Sequence, residues 1–192
     1  MGYVGRLAPE KSVGDLVALQ DQPDVRLVVV GDGPERARLE ALLPRAHFTG
    51  MLHGDDLARV VASLDLLVST SETETFCQVV QEGMASGLPV VASGVGGPLD
   101  LVDHSRTGWL YRPGDLDAMA AHVRDLVGDD AKRAAFGRAA RRSILSRGWA
   151  SVCSELVGHY AAAVDSHGGR DGLSTGLDAV GRLHVTTRRM VR

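Results

Sequence analysis

The sequence predicts an α/β fold in which helices cover both faces of a parallel sheet and further helices follow at the C-terminus. Strand-length apolar segments alternate with helical patterns along residues 2–127, an order typical of parallel sheets. The strand at Leu27-Val28-Val29-Val30 is entirely apolar, which indicates burial on both faces. Hydrophobic residues make up 44% of the 192-residue chain, enough for one domain with its own core.

Six short segments are predicted to be strands, because each is rich in apolar or β-branched residues and is followed by a turn signal. Loops that contain Gly, Pro or Ser separate these strands from the helices. The predicted strands are residues 2–6, 26–31, 47–49, 64–69, 88–92 and 107–111.

Helices are predicted where apolar positions recur every three or four residues. Pro34 is well placed to start one helix, Asp55 or Asp56 to cap another, and Gly87 to end a third. Three helices follow the last strand in succession. The predicted helices are residues 12–20, 34–43, 55–63, 76–86, 116–127, 131–145 and 151–164.

The chain divides by composition into a folded part and a tail. Residues 1–165 are predicted to form one domain that includes the C-terminal helices. Residues 166–192 hold five Gly, few large apolar groups and no sustained period. We expect this segment to be a disordered or loosely attached tail.

The charge distribution argues against two kinds of partner. Residues 166–192 hold five Arg and two Asp, whereas residues 1–165 hold 16 basic and 22 acidic groups. An acidic body argues against binding to nucleic acid or to a general anionic membrane surface. Aromatic residues make up only 4% of the chain, which also disfavours a stacking platform for single-stranded nucleic acid.

Cysteine usage and hydropathy suggest where the protein resides. The two cysteines, Cys77 and Cys153, have no CxxC spacing, which suits a reducing compartment and excludes a disulfide framework or zinc knuckle. No apolar run reaches the roughly 18 residues that a transmembrane helix needs. A strand is predicted directly after Met1, which leaves no room for a signal peptide. We therefore expect a cytoplasmic protein without a transmembrane segment.

The loop after the first predicted strand is the first candidate binding element. Gly5 allows close backbone approach, Arg6 offers a planar fork of donors, and Lys11 offers a compact point charge. A helix predicted to begin near Ser12 adds the positive end of its dipole, and the glycine loop at 94–97 offers further N–H donors. These groups suit a diphosphate, although a surface turn explains the glycines about as well.

Two glutamates form the second candidate element. Glu74 precedes a predicted helix and Glu82 lies inside it, roughly 10 Å away at about 1.5 Å per residue. That separation is comparable to the distance from a hexose to the ribose across a diphosphate, and each carboxylate can accept from two vicinal hydroxyls. The N–H groups of Phe76 and Cys77, in the predicted first turn, favour anionic oxygens. The alternative is a terminal charge and one solvated glutamate, but the apolar neighbours of Glu82 predict burial, which is costly without a partner.

A third motif, Gly31-Asp32-Gly33, resembles the start of a dinucleotide-binding fingerprint. The third glycine of that fingerprint would fall at position 36, which is Arg36, and helix–strand packing there would be crowded. No partner acid stands at the end of a following strand. A nicotinamide or flavin site is therefore the weaker interpretation.

These motifs, in this order and across residues 2–164, resemble the C-terminal half of retaining GT-B glycosyltransferases of family 4. The resemblance implies a Rossmann-like domain that binds a nucleotide-activated sugar, and it is nearest to actinobacterial GDP-mannose-dependent α-mannosyltransferases. The segments that carry it are Gly5-Arg6-Leu7 with Glu10-Lys11, Leu27 to Pro34, Glu74 with Glu82, Glu82 to Ala92, and Arg106 to Leu110.

The resemblance implies roles for single residues. Arg6 and Lys11 would hold the donor diphosphate and stabilise its growing charge, Glu74 would bind the donor sugar, and Glu82 would hold the ribose. No metal or cofactor is implied, because the cations take the place of one. The family normally has Gly at the position of Cys77, where a thiol would narrow the pocket. Further donor-binding positions implied by the family are Gly5, Met51, Leu52, Phe76, Cys77, Gly96 and Gly97.

The resemblance covers only the second domain of a two-domain fold. We expect this chain to lack the N-terminal domain, which would bind the lipid or glycan acceptor and bring the enzyme to the inner face of the membrane. Three functions stay open: the donor half of a retaining hexosyltransferase, a fragment that binds nucleotide-sugar without turnover, and a donor subunit for a separate acceptor-domain chain.

Overall fold

A parallel sheet of six strands forms the centre of residues 1–145. The computed structural model describes residues 1–23, 25–167, 174–177 and 183–186. The chain separates into two compact units, Met1–Leu145 and Ser146–Arg192. The sheet and the helices that cover it lie in the first unit, and the predicted parallel α/β fold is confirmed there.

Each predicted strand is present, although most are shorter than the apolar segment that predicts them. The strands are β1 Gly2–Val4, β2 Val28–Val30, β3 His47–Gly50, β4 Leu67–Ser69, β5 Val90–Ser93 and β6 Gly108–Tyr111. All five pairings between neighbouring strands are parallel, in the order β3-β2-β1-β4-β5-β6.

The strand order reverses between β1 and β4. β1 pairs with β2 over all three of its residues, but its register with β4 consists only of Gly2 opposite Leu67. The two strands therefore separate towards their carboxyl ends, and a crevice opens between the loops that follow them. In open α/β sheets, ligands bind in such a crevice.

The helices differ from the prediction mainly at the N-terminus. Of two 3-10 helices, Val13–Leu19 stands where an α-helix over residues 12–20 is predicted, and Pro9–Lys11 lies before it in a segment predicted to be a loop. Ser12, between the two, adopts a left-handed conformation with φ 49°. The short helix Pro98–Leu101 is not predicted. The α-helices of the first unit are α1 Arg36–Leu42, α2 Gly54–Ala62, α3 Gln78–Ala85, α4 Pro98–Leu101, α5 Leu116–Val127 and α6 Asp130–Ile144.

Helix boundaries confirm one predicted signal and correct another. Gly87 follows α3 with φ 82°, the left-handed conformation that ends helices. The N-cap of α2 is His53, so the prediction that Asp55 or Asp56 caps it is wrong. Both aspartates lie in the first turn, where they still favour the helix through its dipole.

The core lies on both faces of the sheet. Residues such as Val29, Val68 and Val91 contribute to a cluster with α5 and the second 3-10 helix. Their neighbours along the strands, Leu67 and Val90 among them, contribute to a second cluster with α3 and α6. This alternation explains why the strand sequences are apolar throughout.

The second unit contains the helix α7 Trp149–His167 and the antiparallel strands β7 Ser174–Leu177 and β8 Leu183–Thr186. Most of the predicted tail at 166–192 lies outside the described residues, so its disorder stays a prediction. Among the helices that the structure describes, none is both long and apolar enough to cross a bilayer.

Candidate functional site

A pocket of about 250 Å³ opens between the loops that follow β1 and β4. Five predicted site residues line it: Gly5, Arg6, Lys11, Glu74 and Cys77. The structure thus brings the predicted phosphate loop and the first predicted carboxylate into one pocket. The other lining residues are Tyr3, Val4, Ser69, Ser71, Gln78, Val79 and Val80.

The loop after β1 is held by backbone hydrogen bonds to the end of β2 and to the loop that follows it. The N–H of Gly5 donates to the carbonyl of Val30, and the N–H of Leu7 donates to the carbonyl of Asp32, both at 2.9 Å. From the sheet side, the hydroxyl of Tyr3 donates to the carbonyl of Arg6 at 3.1 Å. The loop therefore places the Arg6 and Lys11 side chains on a fixed backbone.

Gly31 and Gly33 make this close approach of the two loops possible. A Cβ at Gly31 would lie 1.9 Å from the carbonyl oxygen of Gly5, and one at Gly33 would lie 2.2 Å from that of Leu7. Arg36 donates to the Asp32 carboxylate at 2.8 Å. The motif that resembles a dinucleotide fingerprint therefore has a structural role, which is to support the loop after β1.

The two predicted cations have different partners. Arg6 donates to Glu10 on the same loop at 3.1 Å, and 65% of the Arg6 side chain is exposed. Lys11 donates across the crevice to Glu74 at 2.5 Å, and both of these side chains are only 27% exposed. The pocket thus joins a cation from the first loop to a carboxylate that comes 63 residues later.

Hydroxyl groups tie the loop after β4 to the loop after β1. The hydroxyl of Thr70 donates to the carbonyl of Lys11 at 2.8 Å, and that of Thr73 donates to the carbonyl of Glu10 at 3.2 Å. Thr70 is buried, so this contact is shielded from water. These bonds hold the backbones of Lys11 and Glu74 in a common framework.

Gly96 and Gly97 support the loop that carries Glu74. A Cβ at Gly96 would lie 2.5 Å from the carbonyl oxygen of Glu74, and one at Gly97 would lie 2.4 Å from that of Thr75. Only glycine leaves room for these contacts. The predicted approach of Gly96 and Gly97 to a sugar or phosphate stays a prediction.

Helix α3 begins two residues later than predicted, at Gln78. Phe76 and Cys77 therefore precede the helix, and the prediction that their N–H groups belong to its first turn is wrong. Cys77 takes a left-handed conformation with φ 52° and is buried. Burial, with a smaller contribution from Glu74, raises the pKa of its thiol to about 11.

Glu82, Met51 and Leu52 lie outside the lining of this pocket. Glu82 is exposed and accepts a hydrogen bond from Gln78 at 2.9 Å. The prediction that Glu82 is buried is therefore wrong, because the apolar side of α3 faces the sheet and Glu82 is on the other side. Met51 and Leu52 directly follow β3, at the same edge of the sheet as the pocket. Their predicted donor contacts stay predictions.

Several residues of the site were missed by sequence reasoning. Tyr3 is buried beneath the loop after β1, and burial, reinforced by Glu74 and Glu10, raises the pKa of its phenol, which stays a hydrogen-bond donor. Ser69, Thr70 and Ser71 form a hydroxyl-rich end to β4, and this run of three hydroxyl residues after an apolar strand was the signal available.

The described residues contain no group of three or more His, Cys, Asp or Glu placed to hold a metal ion. The sequence Asp115-Leu116-Asp117 has a pattern that can bind metal, but here it starts a helix. The Asp115 carboxylate accepts from the N–H of Ala118 at 3.0 Å and so caps α5.

A model of the family "Glycosyl transferases group 1" matches residues 1–143. Among curated proteins, a GDP-mannose-dependent alpha-mannosyltransferase of Mycolicibacterium smegmatis is 51% identical over 168 residues, which cover 85% of this chain and 43% of that protein. The Corynebacterium glutamicum protein of the same name is 40% identical over 164 residues, which cover 85% of this chain and 40% of its own. The chain thus spans less than half the length of these relatives.

Solved structures of similar fold include proteins with bound nucleotide. Anabaena HepE in complex with UDP-glucose has a TM-score of 0.74 at 28% identity, over 84% of this chain and 48% of its own. Sucrose-phosphate synthase of Thermosynechococcus elongatus has a TM-score of 0.78 at 29% identity, over 86% of this chain and 45% of its own.

Proposed function

The chain belongs to the group 1 glycosyl transferases, and we propose that it is the donor-binding half of a retaining hexosyltransferase that uses mannose from GDP-mannose. The observation that supports this most directly is the Lys11–Glu74 pair in the β1–β4 crevice. It puts a cation, which is suited to binding phosphate, beside a carboxylate, which is suited to accepting hydrogen bonds from sugar hydroxyls. The names of the Mycolicibacterium and Corynebacterium relatives support the choice of donor.

In the proposed reaction, the acceptor hydroxyl forms a bond to the anomeric carbon on the face that the diphosphate leaves. The bond from that carbon to the phosphate oxygen breaks, and the hydroxyl proton passes to the leaving phosphate. Arg6 and Lys11 stabilise the charge that grows on the leaving diphosphate. Glu74 orients the hexose through its hydroxyls, and Glu82 holds the ribose.

The proposal needs no metal ion, because two cationic side chains take over charge neutralisation at the diphosphate. It therefore predicts donor binding that does not change when a chelator is added. Location in the cytoplasm, with contact to the inner face of the membrane through an N-terminal domain, is part of the same proposal.

A second candidate function is nucleotide-sugar binding without transfer. It is favoured because the match to the chain covers only 43% and 40% of the length of the two relatives. A donor half by itself would bind the nucleotide-sugar without transferring it, because catalysis requires the acceptor to be oriented against the donor. The acceptor, a lipid or glycan, would bind to an N-terminal domain. If the chain binds nucleotide-sugar but does not transfer the sugar, this candidate is supported. If adding an N-terminal domain restores transfer, the chain is instead a donor subunit.

The test is a calorimetric binding screen of GDP, UDP and ADP sugars against the full chain. We expect GDP-mannose to bind most tightly, and GDP to bind more tightly than guanosine. Combined Arg6→Ala and Lys11→Ala substitutions should abolish the preference for GDP over guanosine. If the unaltered protein binds GDP and guanosine equally, the phosphate assignment is wrong.

A further inference from the structure

Lys11 has a carboxylate partner inside the pocket. Its ammonium group donates to Glu74 at 2.5 Å, and each side chain is only 27% exposed. The pair is therefore less screened by water than a surface ion pair, and its attraction is correspondingly stronger. Any anion that binds Lys11 has to compete with Glu74 for it.

The backbones on both sides of this pair are fixed, so the charges can separate only by side-chain rotation. The carbonyl of Lys11 accepts from the Thr70 hydroxyl at 2.8 Å. The carbonyl of Glu74 accepts from the N–H of Gly97, also at 2.8 Å. A phosphate bound to Lys11 consequently stays close to the Glu74 carboxylate, which repels it.

Arg6 provides a contrast within the same pocket. Its partner Glu10 lies four positions away on the same loop, and the two side chains are 65% and 46% exposed. Water can solvate Glu10 as soon as Arg6 leaves it, so a phosphate displaces Glu10 at little cost. The cost of binding an anion is therefore concentrated at Lys11 and Glu74.

We propose that Glu74 makes the pocket select an intact nucleotide-sugar over the free nucleoside diphosphate, an inference that rests on the proposed function. A nucleoside diphosphate takes Lys11 from Glu74 and leaves the carboxylate partly buried beside a like charge. A nucleotide-sugar also supplies hydroxyl donors that replace the ammonium as partners of Glu74. Glu74 thus weakens the binding of the nucleoside diphosphate, which is the product of transfer, and strengthens the binding of the nucleotide-sugar donor.

The experiment measures the affinity of the full chain for GDP and for GDP-mannose by calorimetry, before and after Glu74→Gln. Glutamine keeps the shape of the side chain and removes its charge. We expect GDP to bind about threefold to tenfold more tightly, since a like charge is removed near the phosphate. GDP-mannose should bind about tenfold or more weakly, since a charged hydrogen-bond acceptor for the sugar is lost.

Glu72→Gln is the matched control, because Glu72 is an exposed glutamate of the same loop that does not line the pocket. It removes the same charge and should leave both affinities unchanged within about twofold. If Glu74→Gln binds GDP no better than the unaltered protein does, the inference is overturned while the proposed function stands. If the unaltered protein binds neither ligand, the proposed function is overturned and the inference with it.

Discussion

The N–H of Gly97 donates to the carbonyl oxygen of Glu74 at 2.8 Å, so the glycine loop after β5 supports the acidic loop after β4. On the other side of the crevice, Gly31 and Gly33 support the loop that carries Arg6 and Lys11. Each of these pocket-lining loops thus rests on a glycine loop that follows the neighbouring strand. The precision of the site depends on these supports as well as on the charged side chains.

Gly97→Ala tests this support for the acidic loop. The backbone at Gly97 has an ordinary φ of −56°, so the substitution acts by crowding alone. The new methyl group would lie 2.4 Å from the carbonyl oxygen of Thr75 and 2.8 Å from the sulfur of Cys77. We expect the free energy of unfolding, measured in urea, to fall by about 1–3 kcal/mol, as for an overpacked core. Affinity for GDP-mannose should fall as the loop moves.

Gly14→Ala is the control for that prediction. Its new methyl group would meet the tip of the Arg38 side chain at 3.6 Å, an ordinary contact that a flexible side chain can adjust. The free energy of unfolding should stay within about 0.5 kcal/mol of the original. Equal effects of the two substitutions would show that Gly97 has no special role.

Glu82→Ala separates ligand binding from stability. The Glu82 side chain is exposed, and among the described residues its only hydrogen bond is the one it accepts from Gln78 on the same helix. Its removal should change the free energy of unfolding by less than about 0.5 kcal/mol. If Glu82 holds the ribose, calorimetry should show GDP-mannose affinity weaker by about 1–3 kcal/mol. Glu155→Ala, at another exposed helical glutamate, serves as the control, and an unchanged affinity in Glu82→Ala would remove Glu82 from the site.

The two cysteines should differ in reactivity. Burial raises the pKa of Cys77 to about 11, so at pH 8 roughly one molecule in a thousand carries its thiolate. Cys153 is exposed. We expect a thiol reagent at pH 8 to modify one thiol per folded chain rapidly, and Cys153→Ser to remove that rapid phase. Denaturant should expose the second thiol, Cys77, to the reagent. If both thiols of the folded protein react equally rapidly, the expectation is wrong.

The sequence was sufficient to predict the sheet and the pocket's charged residues, but not the supporting contacts. Short apolar segments predict the strands from local sequence alone. Arg6, Lys11 and Glu74 follow strands whose carboxyl ends lie at the same edge of the sheet, so their proximity could be predicted as well. The supporting role of Gly97 could not be predicted in the same way. It depends on contact with the backbone of residues 74–77, which lie too far from Gly97 in the sequence for a local pattern to reveal the contact. The 3-10 geometry of residues 13–19 escaped prediction because their apolar spacing fits an α-helix equally well.

The burial of Glu82 was mispredicted for a related reason. Helix α3 contains enough apolar residues to suggest that the whole helix is buried, but only one of its sides packs against the sheet. Val80 and Met84 are buried in the second core cluster, whereas Glu82, between them in the sequence, is exposed. The period of 3.6 residues places position 82 on the outer side of the helix, and the apolar content of the segment obscured that geometry.

At the edge of the sheet beside β6, two histidines pack against Trp109, and protonation of one of them, His122, should weaken the fold. His122 stacks on Trp109 with ring centroids 4.9 Å apart, and His104 meets the Trp109 ring edge at 5.0 Å. Nδ1 of His104 accepts a hydrogen bond from the N–H of Leu110 at 3.1 Å. Burial lowers the pKa of His122, and His104 lowers it further, while Asp125 and Asp115 oppose the shift.

A lowered pKa means that the unfolded chain binds a proton at His122 more readily than the folded chain does. The contribution of His122 to the free energy of unfolding is therefore fully present above the ordinary histidine pKa of 6.5. It is lost as the pH falls through the lower pKa that His122 has in the folded protein. We expect the free energy of unfolding to decline between pH 7.5 and 5.5, and His122→Phe, which keeps an aromatic ring against Trp109, to make that decline shallower. His47→Gln, at an exposed histidine of β3, should leave the decline as it is. An identical slope in His122→Phe and the unaltered protein would show that His122 does not titrate differently on folding.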